Sequence, residues 1–135
     1  MRYLLMIYGE ELDPATVDPA AQAAEFQAYD AFTREIRESG AYLGGEALEP
    51  TTTATTVRVV DGQIQTTDGP FAETKEAIGG YYLVEAKDLD EAIGWAAKIP
   101  TAKHGSIEIR PIWELPDDYA SGGATAGAAA GTSAV

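Results

Sequence analysis

The sequence predicts a two-layer α+β sandwich of the split β-α-β kind, and three observations carry that prediction. Two segments show helical spacing of apolar residues, one opening at Asp18-Pro19 and the other at Asp88. The segments around them are short, β-branched or alternating, and bounded by glycine and proline. Their order, β-α-β-β-β-β-α-β, interleaves two helices with strands so that both helices lie in one layer. With 135 residues the chain makes one domain and a modest core.

Residues 2–8, Arg-Tyr-Leu-Leu-Met-Ile-Tyr, are apolar on both parities and end at Gly9, the pattern of a central strand covered on both sides. Glu10 to Val17 is a polar loop. Asp18 then offers an N-cap carboxylate and Pro19 a first helical residue. This helix is expected to run to Ser39 and stop at Gly40. Phe26, Tyr29, Phe32, Thr33 and Ile36 recur every three or four residues and predict one broad core-packed face. Glu25, Asp30, Arg34, Glu35, Arg37 and Glu38 supply most of the wet side.

Ala41 to Leu48 is a weak strand whose Gly44-Gly45 suits a bulge or a close backbone approach. Thr51 to Val60 is rich in Thr and Val, hence β. Asp61-Gly62 is a two-residue hairpin turn, and it sets a register with Val59 opposite Ile64, Arg58 opposite Gln65, Val57 opposite Thr66 and Thr56 opposite Thr67. One face of this ribbon carries Val57, Val59 and Ile64; the other carries Thr56, Arg58, Gln65 and Thr67. Ile78 to Glu85 is the next strand. Asp88 and Glu91 make a capping-box-like start to the second helix, with Leu89, Ala92, Ile93 and Ala96 as its buried face and Pro100 as its stop. Gly105 to Trp113 is the last strand, with Ile107 and Ile109 on one side and Ser106, Glu108 and Arg110 on the other. From Pro116 the composition turns to Gly, Ala, Ser and Thr, which bury too little to offset their ordering entropy. Residues 1–115 are therefore expected to form the domain and 116–135 a flexible tail.

Between the ribbon and the next strand stands Asp68-Gly69-Pro70-Phe71-Ala72-Glu73-Thr74-Lys75-Glu76, followed by Ala77-Ile78-Gly79-Gly80-Tyr81-Tyr82. Gly69-Pro70 turns the chain out of a strand. Phe71, the only large apolar side chain before Ile78, is expected to pin the loop to the body. A polar loop fastened in this way is a common place for a site. The stretch resembles the signature of the DGPF branch of the YCII-related proteins. The resemblance continues in order through Tyr3-Leu4-Leu5-Met6-Ile7-Tyr8, Gly44-Gly45-Glu46-Ala47-Leu48, Thr55-Thr56-Val57-Arg58 and Gly105-Ser106-Ile107-Glu108-Ile109-Arg110-Pro111-Ile112. It implies a ferredoxin-like α+β domain that dimerises into an α/β barrel. Members of that barrel superfamily include isomerases and lyases that work without a cofactor. The resemblance also implies an alternative, a ligand-sensing or regulatory partner of an extracytoplasmic-function sigma factor. The wider family is credited with a histidine–aspartate pair, but the first helix and its approach contain no histidine here, so that pair is not carried over.

Composition removes several classes. There is no cysteine, so neither disulfides nor thiolate metal sites are available. His104 is the only histidine, which excludes a two-histidine metal site within one chain, and its place before the last strand reads as a solvated loop. Gly44-Gly45 and Gly79-Gly80 lack the spacing and following helix of a phosphate loop, and no Gly-x-Ser-x-Gly nucleophile motif occurs. No cofactor is expected. A net charge of −13 argues against nucleic-acid binding. Tyr3 to Tyr8 is too short for a signal peptide or a span, so the expectation is a cytoplasmic protein away from the membrane.

Two helices cover only one face of a sheet this size. The other face is expected to carry part of the first strand's apolar set and of Tyr81/Tyr82, together with Arg58, Gln65, Glu108 and Arg110. A homodimer, sheet against sheet, would cover it and leave a chamber with polar residues on an apolar background. In that chamber Arg58 and Arg110 would hold a carboxylate or enolate oxygen, with Glu108 beside them. Asp68 or Glu73 would act as general base, and Tyr82 would donate to a developing oxyanion. The expected ligand is a small acidic or hydroxylated molecule. The competing reading of the same residues is structural, with Arg58 and Arg110 paired to Glu46, Glu108 and Asp68 across strands.

Overall fold

Strand β1 (Arg2–Gly9) lies inside a four-stranded antiparallel sheet of order β2-β5-β1-β6, with β2 spanning Tyr42–Ala47, β5 Ala77–Glu85 and β6 Ser106–Pro111. The computed structural model describes residues 1–116, so all but the first residue of the expected tail lies outside the described residues. Helices α1 (Pro19–Ser39) and α2 (Leu89–Lys98) pack on one face. Strand order and chain order together are those of a ferredoxin-like split β-α-β sandwich. The core is small: Tyr3, Leu5 and Ile7 of β1 meet Tyr82 and Val84 of β5, Phe32 and Ile36 of α1, Ala92 and Ala96 of α2, and Ile99.

The alternation along β1 corrects the expectation of a strand covered on both sides. Tyr3, Leu5 and Ile7 are buried under the helices, whereas Leu4, Met6 and Tyr8 on the other face are only partly covered. The caps fall where the sequence puts them. Asp18 accepts a hydrogen bond from the Ala20 N–H at 3.1 Å, and Gly40 ends α1 with φ 86°. Asp88 accepts from the Glu91 N–H at 2.9 Å while Glu91 reaches back to the Lys87 N–H at 2.8 Å.

The apolar faces of both helices are narrower than their spacing suggests. In α1 only Phe32 and Ile36 are buried, and Phe26 is exposed. In α2 the contact is made by Ala92 and Ala96, while Leu89 and Ile93 stay half exposed. Alanines let the helix sit close to the sheet, and that closeness leaves the longer side chains at the edge of the contact.

Strands β3 (Thr55–Val60) and β4 (Gln63–Asp68) pair in the expected register, and Asp61 (φ 51°) and Gly62 (φ 76°) both adopt the left-handed region that a type I′ turn requires. They form a two-stranded sheet of their own, not part of the main one. Pro50 and a 3-10 turn at Thr51–Thr53 redirect the chain before it can pair with β2. Arg58 and Gln65 therefore do not lie on the open face of the main sheet. Phe71 does not pin its loop to the body either: it is 78% exposed, with the Arg58 guanidinium 5.5 Å from its ring centre.

Candidate functional site

The first half of α1 stands off the sheet. Phe32 and Ile36 anchor its second half, but opposite Gln22, Phe26 and Tyr29 the sheet presents Gly45, Ala47, Gly79 and Gly80. A Cβ on Gly45 would lie 2.8 Å from the Tyr81 carbonyl oxygen, and one on Gly80 would lie 2.9 Å from that of Glu46. Strands β2 and β5 thus approach too closely here for side chains, and no bulk fills the space beneath the helix. The result is a cleft of about 920 Å³ between α1, the β2–β5 edge and the segment from Gly9 to Val17. That segment is moored from outside. Glu11 accepts hydrogen bonds from the Thr51 N–H at 2.7 Å and the Thr51 hydroxyl at 2.6 Å, and Glu10 lies 3.6 Å from the Lys75 ammonium.

Polar groups converge on this cleft, whose walls include Phe26, Tyr29, Tyr42 and Tyr82. The Tyr29 hydroxyl shares a short hydrogen bond with Thr101 Oγ1, and the Tyr82 hydroxyl shares one of 2.7 Å with Thr33 Oγ1. Burial pushes the pKa of both phenols above its ordinary value, so each remains a neutral donor. Arg37 lies over the Tyr42 ring at 4.3 Å. At the rim, His104 Nε2 stands 3.4 Å from Glu25 Oε2, bringing a histidine and a carboxylate from distant parts of the chain into one pair. Such a pair can take up and return a proton, and neutral phenols can donate to an oxygen that gains charge.

Of the six residues named from sequence, Tyr82 is the one that lines this cleft. It faces the helices, packed edge-on against Phe32 with ring centres 5.1 Å apart, and not the open face. Arg110 Nε donates to Glu108 Oε2 at 2.7 Å, two residues apart on the open side of β6, so these two satisfy each other along one strand and not across strands. Arg58 is on the separate ribbon. The Asp68 turn is fastened by the Gly69 N–H to the Ala54 carbonyl (2.8 Å) and by the Thr56 hydroxyl to the Gly69 carbonyl (2.9 Å). The Asp68 carboxylate itself has no hydrogen-bond or ion-pair partner among the described residues. Glu73 lines a smaller pocket of about 320 Å³ with Thr51, Pro70 and Thr74. Within one chain Arg58, Asp68 and Glu73 are not joined to Arg110. The loop re-enters the sheet at Ala77 beside Gly9, whereas Arg110 sits beside Leu4, about 16 Å further along β1.

Sequence reasoning missed the cleft and the pairing of His104 with Glu25, although His104 is the solvated loop residue it expected, 61% exposed. The two glycine pairs signalled a close backbone approach, but nothing local showed that the helix above would not fill the gap. Among the described residues no group of three or more His, Cys, Asp or Glu side chains could hold a metal, and no helix is long and apolar enough to cross a membrane.

A ferredoxin-like sandwich with a tyrosine-walled cleft between its first helix and its sheet is the class of protein these observations define. The chain belongs to the YCII-related domain family, whose model matches residues 1–116. An uncharacterized protein of Rhizobium meliloti (strain 1021) is 34% identical to it over 114 residues, covering 83% of this chain and 92% of that relative.

Proposed function

We propose that the protein binds a small hydroxylated or enolisable organic molecule in the cleft and moves a proton on it, the step that cofactor-independent isomerases and lyases share. The observation behind this reading is the meeting in one cleft of two neutral tyrosine hydroxyls with a histidine–carboxylate pair. With Glu25 facing Nε2, the imidazole keeps its proton there and leaves the Nδ1 lone pair free as a base. The C–H bond beside a ligand carbonyl breaks, its proton goes to Nδ1, and the electron pair moves onto the carbonyl oxygen. Tyr29 or Tyr82 donates to that oxygen as it gains charge. Return of the proton to another carbon is an isomerisation; loss of a leaving group is a lyase reaction. The base expected at Asp68 or Glu73 passes, in this reading, to His104. Glu10, Glu11, Glu25 and Glu49 border the cleft and favour a hydroxylated ligand over an acidic one. The same reading includes a homodimer closed sheet to sheet into a barrel. The half-covered strip of Leu4, Met6, Ile78, Tyr81 and Leu83 on the helix-free face supports it.

Hydrogen exchange beside a carbonyl tests the chemistry. In D2O, hydroxylated cyclic ketones that bind are expected to exchange their α-hydrogens in the presence of the protein. His104→Gln should slow this by about 100-fold, the typical worth of a positioned acid–base group, and Asp68→Asn should not. Since His104 is the only histidine, its imidazole resonances report occupancy of the cleft directly. Binders that shift the Glu108 and Arg110 signals while leaving His104 unmoved would place the site on the open face and overturn the proposal.

A further inference from the structure

We infer that the ribbon β3–β4 is an arm that grips a second copy of this chain, enlarging the sheet-to-sheet contact; the inference rests on the homodimer proposed above. Val57, Val59 and Ile64 are 60, 68 and 75% exposed. The register sets Val59 opposite Ile64 and Val57 opposite Thr66, so the three apolar side chains share one face. A two-stranded ribbon is marginal in water by itself, and neither of these strands pairs with the main sheet. β-Branched side chains exposed on an unprotected ribbon also invite uncontrolled pairing. Such a face calls for a specific cover.

The charge of the molecule narrows what that cover is. Between Val57 and Thr66 the apolar face of the strands carries no charged side chain. A chain of net charge −13 repels nucleic acid and anionic lipid. It also repels its own copies at long range, so a self-contact has to form where charge is absent, as in the core of a stable interface.

Area points to a second copy. Four strands spaced about 4.8 Å apart and about six residues long present roughly 400 Å² on the open face. That is half of the roughly 800 Å² each partner contributes to a stable interface. The three ribbon side chains add roughly 200 Å² of apolar surface. Neither patch suffices alone, and together they approach the size at which a dimer holds. A second copy brings the same two patches, so each contact is made twice about a two-fold axis.

The test is the dimer dissociation constant of the full chain by sedimentation velocity. Val59→Lys combined with Ile64→Lys is expected to raise it at least about 100-fold, with an unchanged circular dichroism spectrum. Thr67→Lys, on the opposite face of the ribbon, should leave it within about threefold. Both changes reduce the net negative charge, so electrostatics alone would tighten the dimer, and weakening must come from the lost apolar contact. Leu83→Lys on the open sheet face should dissociate the dimer as well. If Leu83→Lys dissociates it and the double ribbon variant does not, the arm is no part of the interface and the sheet-to-sheet reading stands alone. A wild-type chain that stays monomeric, or that meets phosphatidylglycerol vesicles or DNA through Val59 and Ile64, overturns the inference outright.

Discussion

Tyr29 and Tyr82 show how single residues take their chemistry from place and not from type. Tyr82 is buried and Tyr29 partly buried, and that burial raises both pKa values; the hydrogen bonds shared with Thr33 and Thr101 pull the other way and do not win. A folded-state value above the unfolded one means that the folded protein holds the proton longer. The resulting stability is full below the unfolded phenol value of about 10 and is lost as pH rises through the folded values. In an alkaline absorbance titration Tyr29→Phe and Tyr82→Phe should each remove one step that lies above the ordinary phenol range. If neither substitution removes a late step while the fold persists, the cleft is wetter than its walls indicate. At this scale the sequence was legible wherever the cause is local. Asp18 and Asp88 cap helices through bonds to residues two and three positions away. His104 and Glu25 were not legible as a pair, because only the docking of α1 on the sheet brings them together.

Individual elements were legible in type and register but not in what they pack against. The Asp61-Gly62 turn fixed every pairing in the ribbon, because turn geometry sets register without help from the rest of the fold. Which sheet the ribbon joins depends on the 3-10 turn at Thr51–Thr53 that precedes it, and repeat spacing carries no such signal. Likewise, spacing in α1 and α2 marked an apolar face without showing that the contact ends short of Phe26, Leu89 and Ile93. Two glycines make this contrast measurable. Gly94 lies inside α2, and a Cβ there would meet nothing within 4 Å, so Gly94→Ala should stabilise by about 0.5–1 kcal/mol through helix propensity. Gly105, just before β6, is hemmed in: a Cβ would fall 2.2 Å from the Tyr8 carbonyl oxygen and 2.9 Å from Thr101 Cγ2. Gly105→Ala should cost about 1–3 kcal/mol and disturb the Thr101 partner of Tyr29 as well. Denaturant midpoints moving in opposite directions at unchanged slope are the expected result.

For the whole molecule, composition was the most legible feature, and its consequence appears only in assembly. With 22 acidic and 9 basic side chains, two copies repel each other before any contact forms. The pairing of Arg110 with Glu108 on the open side of β6 consumes one cation that could otherwise have bridged to the partner. Arg58 is occupied with the Phe71 ring. An interface left with little else but Leu4, Met6, Tyr81, Leu83 and the valines of the ribbon gains nothing from charge and suffers from it at a distance. Raising the salt from about 0.01 to 0.15 M shortens the screening length from roughly 30 to 8 Å, less than the width of the domain. The dimer should therefore tighten with salt, its dissociation constant falling about tenfold over that range in sedimentation experiments. The opposite sign would carry equal information. A dimer that loosens with salt would mean that Arg110 or Arg58 exchanges its partner for a carboxylate of the second copy. The ion-paired sheet contact would then have displaced the apolar one.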